Sequence, residues 1–464
     1  MPMLAETARI VDVVDSFDVG STFSVRLTAG YQFRRHDVRV ARELGVSPPS
    51  TSLGVPQTAN VVDATHTTHT LLVGAEVGVY HDLALTFGLP LVLSDSRSLR
   101  PVSGLSSANA ATLLADGWSQ GAGAGTPTSL FNPQFDSPER SGIDQIRLGV
   151  QWSIFNQQRN RNRPTWTLSF EWRPPVGAQL RPCQQTASGT VCPDASNIPA
   201  IPASGTAAPT VASRPNAPGS NPGISRDVHG VFFQTMVSRR LGYLEPYAGL
   251  DVLAEFPARD SAFHYADTPY GQLSNFPPIV GTLTMGAEII PWENRETWQR
   301  MIIDLRFRGQ YFSPGRDYSP LYDALGTSSS RPLLMPGCPA NARAPDGACQ
   351  PERNVYFDGL TTTGSHVVLG GSATVSVQPA KFLRFTLGGG LAWTSSYLLT
   401  NTDACNPSQV PPAAHPEWQG GCTGSSTPDP THRTVIDAAG NRFRTTNDLT
   451  WDFFAAIALT PRVW

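Results

Sequence analysis

Fourteen charged residues of this 464-residue sequence share one placement: each stands at an alternate position inside a run of apolar residues. They are Arg26, Arg34, Glu76, Arg147, Glu171, Arg173, Glu245, Asp251, Glu255, Asp304, Arg306, Arg308, Arg384 and Asp452. A spacing of two sets side chains on one face of an extended strand. Charges on that face, with apolar residues on the other, make the wall of a polar interior. Two kinds of chemistry follow. Fixed charges around a narrow opening select ions or polar solutes. Alternatively, seven acids set against seven arginines neutralise one another and simply fill the interior. Asp304, Arg306 and Arg308 lie on one segment, and the Arg306/Arg308 ladder is the strongest single candidate for a cationic patch.

Other chemistry finds little support. His66 and His69 are three apart and point to opposite faces of a strand, so no joint metal site is expected. Ser365 and His366 are adjacent, hence also opposed, and form no nucleophile–base pair. Gly388-Gly389-Gly390 lies within a strand and suits curvature better than a phosphate cradle. No enzymatic activity and no cofactor are therefore expected. Six cysteines fall as local couples, Cys183 with Cys192, Cys338 with Cys349 and Cys405 with Cys422. Without a CxxC spacing they read as three disulfides stapling loops in an oxidising compartment. A formal net charge of −3 gives no reason to expect a nucleic-acid partner. No run of 18 apolar residues occurs, so no transmembrane helix is expected, which says nothing about strands.

The elements that must position these charges are twelve alternating segments. The clearest is the hairpin 67–94. Leu71, Val73, Ala75, Val77 and Val79 share a face, a tight His81-Asp82 turn follows, and Leu83, Leu85, Phe87, Leu89, Leu91 and Leu93 continue that face. The opposite face is small and polar, running through Glu76 to Ser94. Strands of about 12 residues with lipid on one side and an aqueous lumen on the other are those of a membrane β-barrel. At a tilt of about 40° such a strand gains roughly 30 Å of height, a bilayer's hydrocarbon thickness. The other strands begin near Thr22, Ile143, Trp166, Val228, Leu244, Ile279, Met301, Val367, Leu383 and Leu449. Long connections, 35–66, 95–141, 176–226, 257–277, 313–362 and 397–447, alternate strictly with short turns. The fold expected is all-β: one up-and-down antiparallel transmembrane barrel over 21–464, with 1–20 a periplasmic lead-in. All three cysteine couples fall in long loops. Trp292 and Trp298 suit a membrane-interface belt, and 108–118 a short helix. Met1 to Glu6 has neither the basic start nor the apolar core of a secretory signal, which such a protein is expected to require upstream.

Two resemblances sharpen this. Trp451 to Leu459, with Trp464 at the end, resembles the last strand of outer-membrane barrels, which implies the bacterial outer membrane and the barrel-assembly machinery as a partner during biogenesis. In that strand Trp464 is out of step with Leu459 unless Pro461 resets the alternation. Val77-Gly78-Val79-Tyr80-His81-Asp82-Leu83-Ala84-Leu85 through Gly88-Leu89-Pro90-Leu91 resembles a hairpin of the outer-membrane transporter family linked to meta-pathway phenol degradation. That resemblance implies passage of small, often aromatic, molecules and supplies no catalytic residues. The expected function is a channel or transporter for small solutes surrounded by outer-membrane lipid. The competing expectation is a surface protein whose barrel only anchors stapled loops, with a hydrolase third.

Overall fold

The computed structural model describes residues 9–14, 23–44, 57–116, 129–193, 216–218, 221–258, 261–263, 273–294, 296–334, 357–406, 427–460 and 462–463. Twelve long strands close into a ring: β1 Phe23–Glu43, β2 Thr58–Tyr80, β3 Leu83–Pro101, β4 Arg147–Phe155, β5 Thr165–Arg173 and β6 Val228–Ser238. They continue as β7 Leu244–Pro257, β8 Val280–Asn294, β9 Gln299–Phe312, β10 His366–Ala380, β11 Leu383–Thr394 and β12 Phe443–Leu459. Each pairs antiparallel with its neighbours in sequence, and β12 pairs with β1 to complete the cylinder. Closure matters because an open sheet edge would leave backbone donors and acceptors unpaired in hydrocarbon.

Which side meets lipid is settled by what stands exposed on the outside. Leu27, Val73, Leu85, Phe87, Val150, Phe170, Phe233, Leu250, Leu283, Met285, Phe307, Val375, Phe385 and Leu387 all point outward and uncovered. Exposed aromatic and apolar side chains rim both ends of this belt: Tyr80, Tyr243, Trp292 and Phe382 at the short turns, Trp172, Tyr311, Trp393 and Trp451 at the other rim. A cylinder of even strand number with such a belt and two girdles is a bacterial outer-membrane β-barrel. The short turns are periplasmic and the long connections extracellular.

Four boundaries differ from the expectation, each for a physical reason. The wall is uneven: β1, β2 and β3 run 21, 23 and 19 residues, whereas β4 and β5 run nine each. The connections 35–66 and 95–141 are therefore partly strand, and β12 likewise begins at Phe443, inside 397–447. Secondly, the strand expected from Ile143 begins at Arg147, because Asp144 to Ile146 bond instead to Pro174 and Val176, and Arg140–Ile143 pairs separately with β3. Thirdly, a bulge at Leu93 turns Ser94 to the outer face beside His69, so Ser94 does not continue the inner face. Finally, residues 9–14 do not hang below the barrel as a lead-in. Val11 is buried against Met236 and Tyr247, both inward-facing, and Asp12 reaches Arg26. The register between β1 and the segment Arg462–Val463 is the same as with β12, so Arg462 and Val463 keep the alternation of Leu459 without a reset. Trp464 itself is outside the described residues.

Above the belt the extracellular connections fold together. Helix α1 Ser107–Leu113, capped by Ser106 and overlapping the first half of the 108–118 segment expected to be helical, joins α2 Tyr322–Gly326, α3 Arg331–Leu334 and α4 Thr434–Asp437. Their apolar residues, among them Ala110, Leu114, Leu325, Leu333 and Ile436, form one core with Val38, Val40, Val62, Ala64, Leu99 and Phe443 on the inner face of the tall wall. Buried arginines tie this cap. Arg42 donates to the carbonyls of Leu113, Ala115 and Val435 at 2.7–2.9 Å, and Arg433 to those of Leu333 and Pro430 at 2.8 Å. Arg140 meets Asp323 at 2.6 Å. Each guanidinium satisfies carbonyls that irregular backbone would otherwise bury unpaired.

Candidate functional site: the charged lumen

Residues 9–14 lie inside the periplasmic end. Arg26 on β1 holds Asp12 and, at 2.9 Å, Glu76 on β2. Val11 packs on Tyr247, whose hydroxyl donates to Asp304, and Asp304 in turn pairs with Arg306 at 2.9 Å. Arg306 Nε also donates to Tyr247 Oη at 3.1 Å. The Arg306/Arg308 ladder is thus split, since Arg306 is spent on its neighbours and Arg308 is not.

The other charges sort the same way. Glu171 pairs with Arg173 on its own strand, and Gly230 leaves the room in which Arg173 lies. Glu245 is fully buried and accepts from Ser238 at 2.7 Å. Glu255 meets Arg226 at 2.8 Å. Arg384 lies 3.5 Å from Gln378 Oε1. Asp251 is buried and Asp452 half-buried on the inner wall. Arg34, Arg147 and Arg308 face inward yet are exposed, and among the described residues no acid forms an ion pair with them. Arg308 is within electrostatic range of Arg34, Asp251 and Asp452. Arg147 lies over Gly88, where a Cβ would stand 3.3 Å from the Arg147 side chain.

The extracellular end holds a cavity of about 410 Å³ beneath the cap. Its wall carries His36, His66, Asp95, Arg97, Arg226, Asp317, Tyr318 and Tyr397. These groups are paired: His66 with Asp95 at 2.7 Å, Arg97 with Asp95 at 3.0 Å, His36 with Asp448 at 2.7 Å and Arg226 with Asp317 at 3.0 Å. Arg226 sits in the loop before β6; burial depresses its basicity, but Asp317 and Glu255 more than restore it and hold it charged at any physiological pH. His36, Asp95 and Arg97 were missed from sequence because they lie where a loop is expected, and His66 stands out there only as a metal-ligand candidate. Alternation does continue through them, and that signal could have found them. His66 faces in while His69 faces out against Tyr31, 2.6 Å from its hydroxyl. His366 is stacked between Phe312 and Tyr397. Among the described residues no group of His, Cys, Asp or Glu could hold a metal.

Of the cysteines, Cys183 and Cys192 are joined and Cys405 is also disulfide-bonded. Cys338, Cys349 and Cys422 lie outside the described residues.

No protein-family model matches the chain, and no curated protein does. The likeness of the hairpin to the family linked to meta-pathway phenol degradation therefore gains no support from sequence. Among solved structures the chain is similar to the COG4313 outer membrane channel from Pseudomonas putida F1, at 8% identity over 95% of this chain and 100% of that one, TM-score 0.37. It is also similar to the Pseudomonas putida toluene transporter TodX, at 9% identity over 97% and 91%, TM-score 0.30. The outer membrane protease OmpT from Escherichia coli matches at 6% identity over 94% and 97%, TM-score 0.26. Channels and a protease match alike, and none of the three carries a functional argument.

Proposed function

We propose that this barrel is an outer-membrane channel for small solutes, closed in its resting state by residues 9–14 below and by the folded cap above. The observation that carries this reading is the accessible space inside: three inward guanidiniums are exposed within a wall whose outer surface is apolar. A barrel serving only as an anchor has no need of solvated charge at its centre, because a filled lumen is the cheaper solution. Solute passage then requires residues 9–14 to move, and Asp12 on Arg26 is the polar contact that resists this. The aromatic solutes implied by the hairpin belong to the same proposal, since Phe135, Tyr318 and Tyr397 offer ring surfaces in the mouth cavity. Recognition of the last strand by the assembly machinery is part of it too.

The test is planar-bilayer recording of the full chain beside Asp12→Ala. Stepwise currents, larger or more frequent in the variant, are expected. Silence of both would end the channel reading. One observation favours the second reading, a surface protein: the cap shares an extensive hydrophobic core with the inner face of the tall wall, which a simple gate would not need. Under that reading bilayers stay silent and the cap alone carries the activity.

A further inference from the structure

The fourteen wall charges cancel by count, but they do not cancel where a solute would meet them. All seven acids are buried or half-buried: Glu245, Asp251, Glu255 and Asp304 are nearly inaccessible, and Glu76, Glu171 and Asp452 only partly reached. Of the seven arginines, Arg26 is buried and Arg173, Arg306 and Arg384 are half-buried. The three that are exposed are Arg34 on β1, Arg147 on β4 and Arg308 on β9. These strands are spread around the ring, so the guanidiniums converge on the lumen from three sides. Among these fourteen the accessible charge is positive although their sum is zero.

Resting on the channel reading above, we infer that Arg34, Arg147 and Arg308 make the lumen selective for small anions, organic carboxylates and inorganic anions alike. The physics is direct. A unit anion about 7 Å from one guanidinium in water gains close to RT, a factor of about three in local concentration. Salt shortens that reach to a Debye length of roughly 8 Å at physiological strength. Three such charges acting on anion and cation in opposite senses still separate the two on the order of fivefold. Arg306 contributes less, because Asp304 and the Tyr247 hydroxyl hold it against the wall. The patch chosen from sequence, Arg306 with Arg308, is therefore replaced by a set drawn from three different strands.

The experiment is tracer uptake of chloride and of rubidium into proteoliposomes carrying the full-length chain, corrected for empty vesicles. Wild-type protein is expected to pass chloride on the order of fivefold faster than rubidium. The combined variant Arg34→Gln, Arg147→Gln, Arg308→Gln is expected to bring that ratio close to one. Arg306→Gln is expected to move it less. These three side chains have no ion-pair partner to strand, so the variant should assemble; if it does not, Arg308→Glu alone is expected to cut the ratio at least by half. A wild-type ratio near one, or a ratio that neither the combined variant nor Arg308→Glu alters, overturns the inference while leaving a channel in place. Uptake of neither ion overturns the channel reading itself.

Discussion

The same three strands behave in opposite ways along their length. In the lower halves of β1, β2 and β3, Leu27, Tyr31, Val73, Leu85 and Phe87 face out, and Arg26, Arg34 and Glu76 face in. In the upper halves Arg35, Asp37, Arg39 and Asp63 face out, paired at 2.7–2.9 Å, while Val38, Val40, Val62, Ala64 and Leu99 face in. Apart from bulges at Val61 on β2 and Leu93 on β3, the backbone alternation holds; the solvent changes sides. Below, hydrocarbon lies outside and water inside. Above, water lies outside and a protein core inside. The lesson is that a barrel strand can leave the membrane without ending, provided something apolar fills the space its inner face now needs. The cap is that filling.

This contrast can be broken or sharpened by substitution. The largest effect is expected from Val40→Asp, which buries an unpaired carboxylate in the cap core at about 3–5 kcal/mol. Limited proteolysis should then open the extracellular loops while the heat-modifiable gel mobility of the barrel persists. Loss of the barrel as well would show that cap and wall are one cooperative unit. Next, Leu387→Arg places a charge near the centre of the lipid-facing belt and should cost about 2–4 kcal/mol in urea unfolding from bilayers.

A smaller effect lies in pH. Burial pushes the Asp437 carboxyl in α4 up to about 6, against hydrogen bonds from the Arg433 and Thr402 backbone amides. Between its ordinary value near 4 and about 6, the folded cap holds a proton that the unfolded cap releases. Its stability therefore falls as pH rises through that window, by about 1.4 kcal/mol per pH unit, and levels off above it. Amide protection factors over 433–438 should rise on acidification from pH 7 to 5, and Asp437→Asn should flatten the dependence. The smallest effect is expected of Ser96→Arg, on the outer face of β3 above the belt: within about 0.5 kcal/mol, as for ordinary surface changes. A cost matching that of Leu387→Arg would erase the contrast.

The lower barrel was legible because its rule is local. Leu71-x-Val73-x-Ala75 and Leu83-x-Leu85-x-Phe87 declare a face whatever surrounds them. The upper walls follow the same period, yet Arg35-His36-Asp37-Val38-Arg39-Val40 reads as a polar loop when apolar residues are sought only at outward positions. The signal was present with its sign inverted. Other features had no local signature. Nothing in Arg9-Ile10-Val11-Asp12 distinguishes a segment inside a barrel from one beside it, because only Met236, Tyr247 and Arg26 decide that. The division of the wall charges into paired and exposed also depends on neighbours across strands. Asp304 lies two residues from both Tyr247-bound Arg306 and, on the other side, Ile302, and no spacing rule would have spent Arg306 while leaving Arg308 to solvent.

The switch of solvent along one strand is tested most directly by spin labels on β2 in proteoliposomes, at Val73 and at Asp63. Both positions face outward. The Val73 label is expected to relax with oxygen dissolved in the bilayer and the Asp63 label with a water-soluble nickel chelate. Chelate access at both positions would contradict it, because the lower face would then meet water rather than lipid.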